Sequence, residues 1–97
     1  MAGPNKTLVE AYLDELRGVR RLSANTVESY HRDLKGLLRF AARRPIVTLT
    51  RSDLELFVRQ LMASGLSPRS VARAVACLRG FFRFLVYDGH LRENPAE

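Results

Sequence analysis

Two segments of this chain, 44 residues apart, have nearly the same sequence, and each opens a long stretch with helical periodicity. They are Leu22-Ser23-Ala24-Asn25-Thr26-Val27 and Leu66-Ser67-Pro68-Arg69-Ser70-Val71. In both, the serine is a favourable helix N-cap, and the leucine before it can pack on the valine as a hydrophobic staple. Proline also suits the first position of a helix. We therefore predict two helices that begin in the same way, at Ala24 and at Pro68.

The third helical position of both segments carries a hydroxyl, where a capping box would place Glu or Gln. Thr26 and Ser70 occupy these positions. A helix N-terminus without an acidic side chain attracts anions, because its free amides and its dipole both favour negative charge. Two interpretations remain open at this point. The segments are either ordinary caps in a helical domain or two anion-binding helix ends.

Hydrophobic periodicity predicts four helices and no strand, and hence an all-α fold of two helical hairpins. The predicted helices run from Leu8 to Arg17 behind a Thr7–Glu10 capping box, from Ala24 to Arg43, from Thr50 to Ser64, and from Pro68 to Tyr87. Segment 46–49 is predicted to be an extended connector over the core. The inward-facing residues are predicted to be Val27, Tyr30, Leu34, Leu37, Leu38 and Ala41 in the second helix, Leu54, Phe57, Val58, Leu61 and Met62 in the third, and Val71, Val75, Leu78, Phe82 and Leu85 in the fourth.

Composition indicates a single folded domain with a polyanionic partner. The 97 residues are 46% hydrophobic and carry a net charge of +6. Arginine greatly outnumbers lysine, and its planar fork matches phosphate better than an ammonium group does. We see no signal peptide or apolar run of membrane-spanning length, so we expect a cytoplasmic protein without a membrane partner.

The sequence contains no set of residues that indicates catalysis, a metal site or a cofactor. Cys77 is the only cysteine and falls in an apolar helical pattern, which predicts a small core residue. His31 and His90 have no companions at metal-ligand spacing, and no glycine-rich phosphate loop is present. We therefore expect neither a metal nor a cofactor.

Basic residues follow the exposed faces of both long helices. Arg32, Lys35 and Arg39 project opposite the apolar stripe of the second helix. This ridge is either a solvated face or a surface that follows phosphates. The fourth helix carries Arg69, Arg73, Arg79 and Arg83 outside its core stripe, around a row of small residues, Ala72, Ala76 and Gly80. The small row favours close packing on another helix, with a DNA groove as the alternative.

The two repeated segments and their continuations resemble the N-terminal core-binding domain of tyrosine recombinases, the phage-integrase and Xer group. The matching residues are Leu22 to Val27 followed by Tyr30, Asp33 and Leu34, and Gly65 to Val71 followed by Leu78-Arg79 and Phe81 to Leu85. Asn94-Pro95 resembles the exit of that domain into a linker. The resemblance extends from about Leu8 to Pro95 and is closest to the Xer type.

The resemblance implies a four-helix SAM-like bundle that forms one half of a C-shaped clamp on double-stranded DNA. In the family the second and fourth helices face the major groove. Together with the charge pattern, this predicts DNA contacts at Arg21, Ser23, Asn25, Thr26, Arg32, Lys35, Ser67, Arg69, Ser70, Arg73 and Arg79. The family cleaves DNA through a tyrosine in a C-terminal domain. These 97 residues are therefore expected to bind DNA without cutting it, together with other recombinase subunits in a synaptic complex.

The predicted organisation is a flexible leader at 1–6, a core-binding domain at 7–92 and the start of a linker at 93–97. The parent is expected to be a site-specific tyrosine recombinase. One alternative keeps the fold and changes the role. In it, the chain is a stand-alone helical module without a recombinase domain, which either binds an acidic protein or binds DNA as a regulator.

Overall fold

The computed structural model describes residues 3–97. In that range all regular secondary structure is helical, and there is no strand. Four α-helices and one short 3-10 helix form: α1 at Gly3–Gly18, α2 at Ala24–Ala41, η1 at Ile46–Thr48, α3 at Arg51–Ala63 and α4 at Pro68–Tyr87. The all-α prediction is confirmed. None of the helices in this range is both long and apolar enough to cross a membrane.

The chain divides into two compact units, one ending at Ile46 and the other spanning Val47–Glu97. In the first unit α1 packs on α2, and in the second α3 packs on α4. Each unit is therefore one of the two predicted helical hairpins.

The first helix begins earlier than its sequence signal indicated. Thr7 and Glu10 lie inside α1, so the predicted capping box does not start it. The Asn5 side chain fixes the first turn instead, donating to the Arg44 carbonyl at 2.8 Å and accepting from the Ile46 amide at 2.8 Å. Of the leader predicted at 1–6, Met1 and Ala2 lie outside the described residues, and residues 3–6 are helical.

The core of the first unit is formed by one stripe from each helix. Its buried side chains are Val9, Tyr12, Leu13 and Leu16 of α1, and Val27, Leu34, Leu37 and Ala41 of α2. The second helix ends at Ala41, two residues before the predicted Arg43. The segment that follows is the 3-10 turn η1 and not an extended connector, although Ile46 and Leu49 are buried as predicted.

In the second unit α4 contributes most of the core. Its buried side chains are Ala74, Cys77, Leu78, Phe81, Phe82 and Leu85, with Leu54 and Phe57 added by α3. The predicted near-heptad stripe differs from the observed one at both its members and its width. Val71 and Val75 were included and stay half-exposed, whereas Phe81 was left out and is fully buried. Met62 was predicted to face inward and is 59% exposed. The predicted burial of Cys77 is confirmed.

Candidate nucleic-acid interface

The two repeated segments form helix starts with nearly identical geometry. Ser23 caps α2 with φ −60° and ψ 154°, and Ser67 caps α4 with φ −64° and ψ 154°. Each serine Oγ accepts the backbone amide three residues on, from Thr26 and from Ser70, at 3.2 Å in both cases. The predicted capping roles are thus confirmed.

The likeness extends to the backbone before each cap. Arg21 and Gly65 both stand two residues before the cap serine, and both have a positive φ, 52° and 90°. Glycine adopts this conformation at no steric cost, whereas an L-residue with a side chain is disfavoured by about 1 to 2 kcal/mol. The side chain of Arg21 is exposed. The first hairpin therefore keeps an arginine at a position where glycine would fit the backbone better.

Each helix start presents hydrogen-bond donors that the helix itself does not use. The first backbone amides of a helix have no intrahelical acceptor, and the cap serine takes only that of the third residue. In α2 the Ser23 hydroxyl donates to Thr26 Oγ1 at 2.9 Å. The hydroxyl hydrogen of Thr26 takes no part in that bond. The amides of Asn25 and Arg69 and the hydroxyl of Thr26 can therefore donate to an anion.

The start of α3 provides a contrast within the same protein. Thr50 accepts the Asp53 amide at 3.2 Å, and the Asp53 carboxylate accepts the Thr50 amide at 2.8 Å, which completes a capping box. A carboxylate thus neutralises the positive end of α3. The first turns of α2 and α4 contain no acidic residue. Two of these three helix starts are therefore open to an external anion, and both are the repeated ones.

The charges of α4 are all of one sign. Its 20 residues include four arginines and no carboxylate, whereas the 13 residues of α3 include two arginines and two carboxylates. Arg69, Arg79 and Arg83 are exposed, and they lie on the side of α4 that faces away from its buried stripe. Residues 69 and 83 are 14 positions apart, or about 21 Å along the helix. The basic face thus runs for most of the length of α4.

The second helix carries the predicted ridge on its exposed face. Arg32, Lys35 and Arg39 are all exposed. Within residues 3–97 no carboxylate lies at ion-pairing distance from any of the three, whereas Arg17 of α1 and Arg51 of α3 pair with Asp14 and Glu55 of their own helices. The cations of α2 are therefore available to an external partner.

The small residues of α4 are not explained by packing within this chain. Ala72 and Ala76 are exposed, and Gly80 is half-buried. The interpretation that this row packs closely on another helix of the domain was therefore wrong for the two alanines. A shallow strip between the arginine side chains remains, which an external partner can approach closely.

The structure brings the predicted DNA-binding residues together in local groups within each hairpin. Arg21, Ser23, Asn25 and Thr26 gather at the start of α2, with Arg32 and Lys35 further along its exposed face. Ser67, Arg69 and Ser70 gather at the start of α4, followed by Arg73 and Arg79. Arg73 differs from the other cations of this set, because it is half-buried and already makes an interaction within the described residues.

The predicted set leaves out two residues that share these exposed faces. Arg39 and Arg83 are both exposed and are themselves 44 positions apart. The repeat continues along the helices, so that Lys35 corresponds to Arg79 and Gly36 to Gly80. The sequence had already placed both arginines outside the apolar stripes, and their 44-residue spacing is the signal that would have added them to the set of predicted DNA contacts.

The chemistry of these surfaces follows from their side chains and backbone donors. In the described residues no three His, Cys, Asp or Glu side chains come together in an arrangement that could hold a metal ion. The chemistry available at the surfaces is that of guanidinium, ammonium, hydroxyl and amide donors. This is the donor set that contacts phosphates and base edges in DNA-binding proteins.

The fold and the surfaces define an all-helical protein of two hairpins with basic second helices. A family model, the phage integrase N-terminal SAM-like domain, matches residues 9–89. The chain belongs to this family, and its resemblance to the core-binding domains of tyrosine recombinases is confirmed.

Proteins of known identity point to the same group. The chain is 40% identical over 92 residues to tyrosine recombinase XerD of Listeria monocytogenes, covering 91% of this chain and 31% of that protein. It is 35% identical over 91 residues to tyrosine recombinase XerC of Pseudomonas aeruginosa, covering 91% and 30%. The chain thus spans about 30% of the length of these relatives. No solved structure matches it.

Proposed function

We propose that this chain is the DNA-binding domain of a site-specific tyrosine recombinase of the Xer type, and that it holds double-stranded DNA for recombination. In this proposal the chain supplies DNA binding, and another region of the recombinase supplies strand cleavage. Other recombinase subunits bound to the same DNA are its protein partners.

The observation that carries the proposal is the pair of matched helix starts. Both lack an acid in the first turn, both carry a serine cap, and each leads into a helix with an exposed basic face. The start of α3 in the same chain is capped with a carboxylate instead, and α3 carries no basic face of one sign. Membership of the integrase N-terminal family supports the same role.

The donors at each helix start divide the work of binding between them. Amides and hydroxyls fix phosphates in register, while longer side chains reach the base edges. Asn25 and Arg69 occupy the same position in the two helices and are exposed. Asn pairs with adenine and Arg with guanine in the major groove. We assign sequence readout to these two residues and backbone contacts to Lys35, Arg32 and Arg79.

Fluorescence anisotropy on duplex DNA over a series of salt concentrations tests the proposal. We expect Arg69→Ala to weaken binding by about 1 to 3 kcal/mol on a preferred sequence and less on random duplex. Lys35→Ala should weaken binding to all duplexes alike and reduce the log-salt slope by about 0.9. Arg51→Ala, on the charge-balanced α3, is the matched control and should change binding little.

The competing role as a protein-interaction module makes a different prediction in the same assay. An acidic peptide would then bind as well as duplex DNA does, because only net charge would matter. Equal affinity for peptide and DNA, together with equal losses in Arg69→Ala and Arg51→Ala, would overturn the proposal. Circular dichroism on each variant verifies that the helices are intact.

A further inference from the structure

The segment after α4 turns back and lies along that helix. Gly89, with φ 83°, allows the reversal, and the His90 amide donates to the Leu85 carbonyl at 2.8 Å. Further on, Asn94 Nδ2 donates to the Arg79 carbonyl at 3.3 Å, and Asn94 Oδ1 accepts the Ala96 amide at 2.8 Å. Asn94 thus attaches the segment to α4 more than two turns before the helix ends.

Apolar side chains of both helices lie beside the same segment. Pro95 and Ala96 line a groove whose walls include Leu54 and Val58 of α3 and Val75 and Leu78 of α4. Asn94, Pro95 and Ala96 are all half-buried. The Asn94 side-chain amide thus attaches the segment to α4, with two half-buried apolar residues beside it, and we refer to residues 94–97 as the strap.

The strap places a carboxylate on the basic face of α4. Glu97 Oε1 lies 3.6 Å from Arg83 Nη2, and the two side chains are 59% and 65% exposed. Asn94 Nδ2 also lies 3.5 Å from Glu97 Oε1, which holds the carboxylate near the anchor. Arg83 differs in this from Arg69 and Arg79, for which the structure of residues 3–97 has no carboxylate partner.

We propose that Arg83 is a further phosphate-binding residue and that Glu97 of the strap competes with DNA phosphate for it. This inference rests on the proposed DNA-binding function. Phosphate displaces the carboxylate because an exposed single ion pair is weak, whereas a guanidinium can bind phosphate through two parallel hydrogen bonds. The strap therefore lowers the affinity of α4 for DNA without blocking it.

The matched pair Glu97→Gln and Glu93→Gln tests the proposal. Both remove one negative charge from the same segment, and both residues are exposed, but only Glu97 pairs with Arg83. In anisotropy on random-sequence duplex at low salt, we expect Glu97→Gln to bind about two- to fivefold more tightly than Glu93→Gln. Its log-salt slope should be steeper by up to about 0.9, the value for one added phosphate contact.

The competition also predicts two further results. In the Arg83→Ala background, Glu97→Gln should give no gain over Glu93→Gln, because the cation that the carboxylate masks is absent. Asn94→Ala, which changes no charge, should raise DNA affinity because it detaches the strap. In free protein, the Arg83 side-chain Nε–Hε resonance should move in Glu97→Gln and stay in place in Glu93→Gln.

The outcomes separate this inference from the function on which it rests. If the wild-type chain binds duplex DNA and the two glutamine variants bind equally, the competition is wrong and the DNA-binding role stands. If the gain of Glu97→Gln persists in the Arg83→Ala background, Arg83 is not the residue that Glu97 masks. If no variant binds duplex DNA, both the function and the inference are overturned.

Discussion

Replacing Arg21 by glycine should move stability and DNA binding in opposite directions. Arg21 has a φ of 52°, in a region that favours glycine, and its side chain is exposed beside the start of α2. Residues held in disfavoured backbone conformations are concentrated at functional sites, where the structure tolerates their cost. If the side chain is kept for DNA, its removal should relieve the backbone and weaken binding.

The size of the effect follows from two opposing backbone terms. Relief of the positive φ is favourable by about 1 to 2 kcal/mol. The greater freedom of glycine in the unfolded chain offsets about 0.5 to 1 kcal/mol of it. We therefore expect Arg21→Gly to raise the free energy of unfolding by about 0.75 kcal/mol, the difference between the midpoints of the two ranges, which raises the Tm of a domain of this size by about 3 to 6 °C.

Thermal unfolding by circular dichroism and DNA binding by anisotropy are measured on the same variants. Arg21→Gly should bind duplex DNA more weakly, with a log-salt slope lower by about 0.9. Arg21→Ala should show the same loss of binding without the gain in Tm, because alanine retains the disfavoured φ. Ala42→Gly is the matched control, since Ala42 is the other non-glycine residue with a positive φ, at 54°. It should raise the Tm and leave DNA binding unchanged.

The equivalent position in the second hairpin gives the reverse experiment. Gly65 has a φ of 90°, and a Cβ added there would meet nothing within 4 Å. Gly65→Ala should therefore lower the free energy of unfolding by about 1 kcal/mol through the backbone alone.

If Arg21→Gly binds DNA as the wild type does, with an unchanged log-salt slope, the account of Arg21 is refuted. A lower Tm in Arg21→Gly would instead assign the side chain a structural role.

Two further predictions concern a hydroxyl and the core. Thr26→Val keeps the shape of the side chain but removes the hydroxyl, so DNA binding should weaken by about 1.5 kcal/mol, and the lost hydrogen bond from Ser23 should lower the free energy of unfolding by about 0.5 to 1.5 kcal/mol. Unchanged DNA binding would restrict Thr26 to capping. Phe81→Ala should lower the free energy of unfolding, measured by urea titration, by about 3 to 5 kcal/mol. Phe81 is fully buried, and its ring lies edge-to-face with that of Phe82, with the ring centroids 5.3 Å apart. A loss below about 1 kcal/mol would contradict its central place in the core.

The sequence predicted those helix ends that carry a local chemical signal. The bounds of α4 agree at both ends, because Pro68 and the cap serine fix its start and Gly89 follows its end. The start of α1 was missed because its signal is not local. Asn5 bonds to residues 39 and 41 positions away, and no pattern in the first ten residues reveals that.

The same distinction applies to the candidate site. Helical periodicity placed Arg32, Lys35 and Arg69 on exposed faces, since the period of a helix determines which residues share a side. The positive φ of Arg21 has no sequence signature, because arginine rarely adopts it. The return of the strap onto α4 depends on the hydrogen bond from Asn94 to the Arg79 carbonyl, 15 residues away. Both features become visible only when the chain is folded.

The central claim is that the starts of α2 and α4 contact DNA. Backbone amide chemical shifts of the labelled protein, followed as duplex DNA is added, test it residue by residue. We predict the largest changes at Asn25 and Thr26 in the first hairpin and at Arg69 and Ser70 in the second, because the free amides of Asn25 and Arg69 lie directly beside the capped amides of Thr26 and Ser70. If these four amides stay in place while others shift, or if no amide shifts at saturating DNA, the account is contradicted.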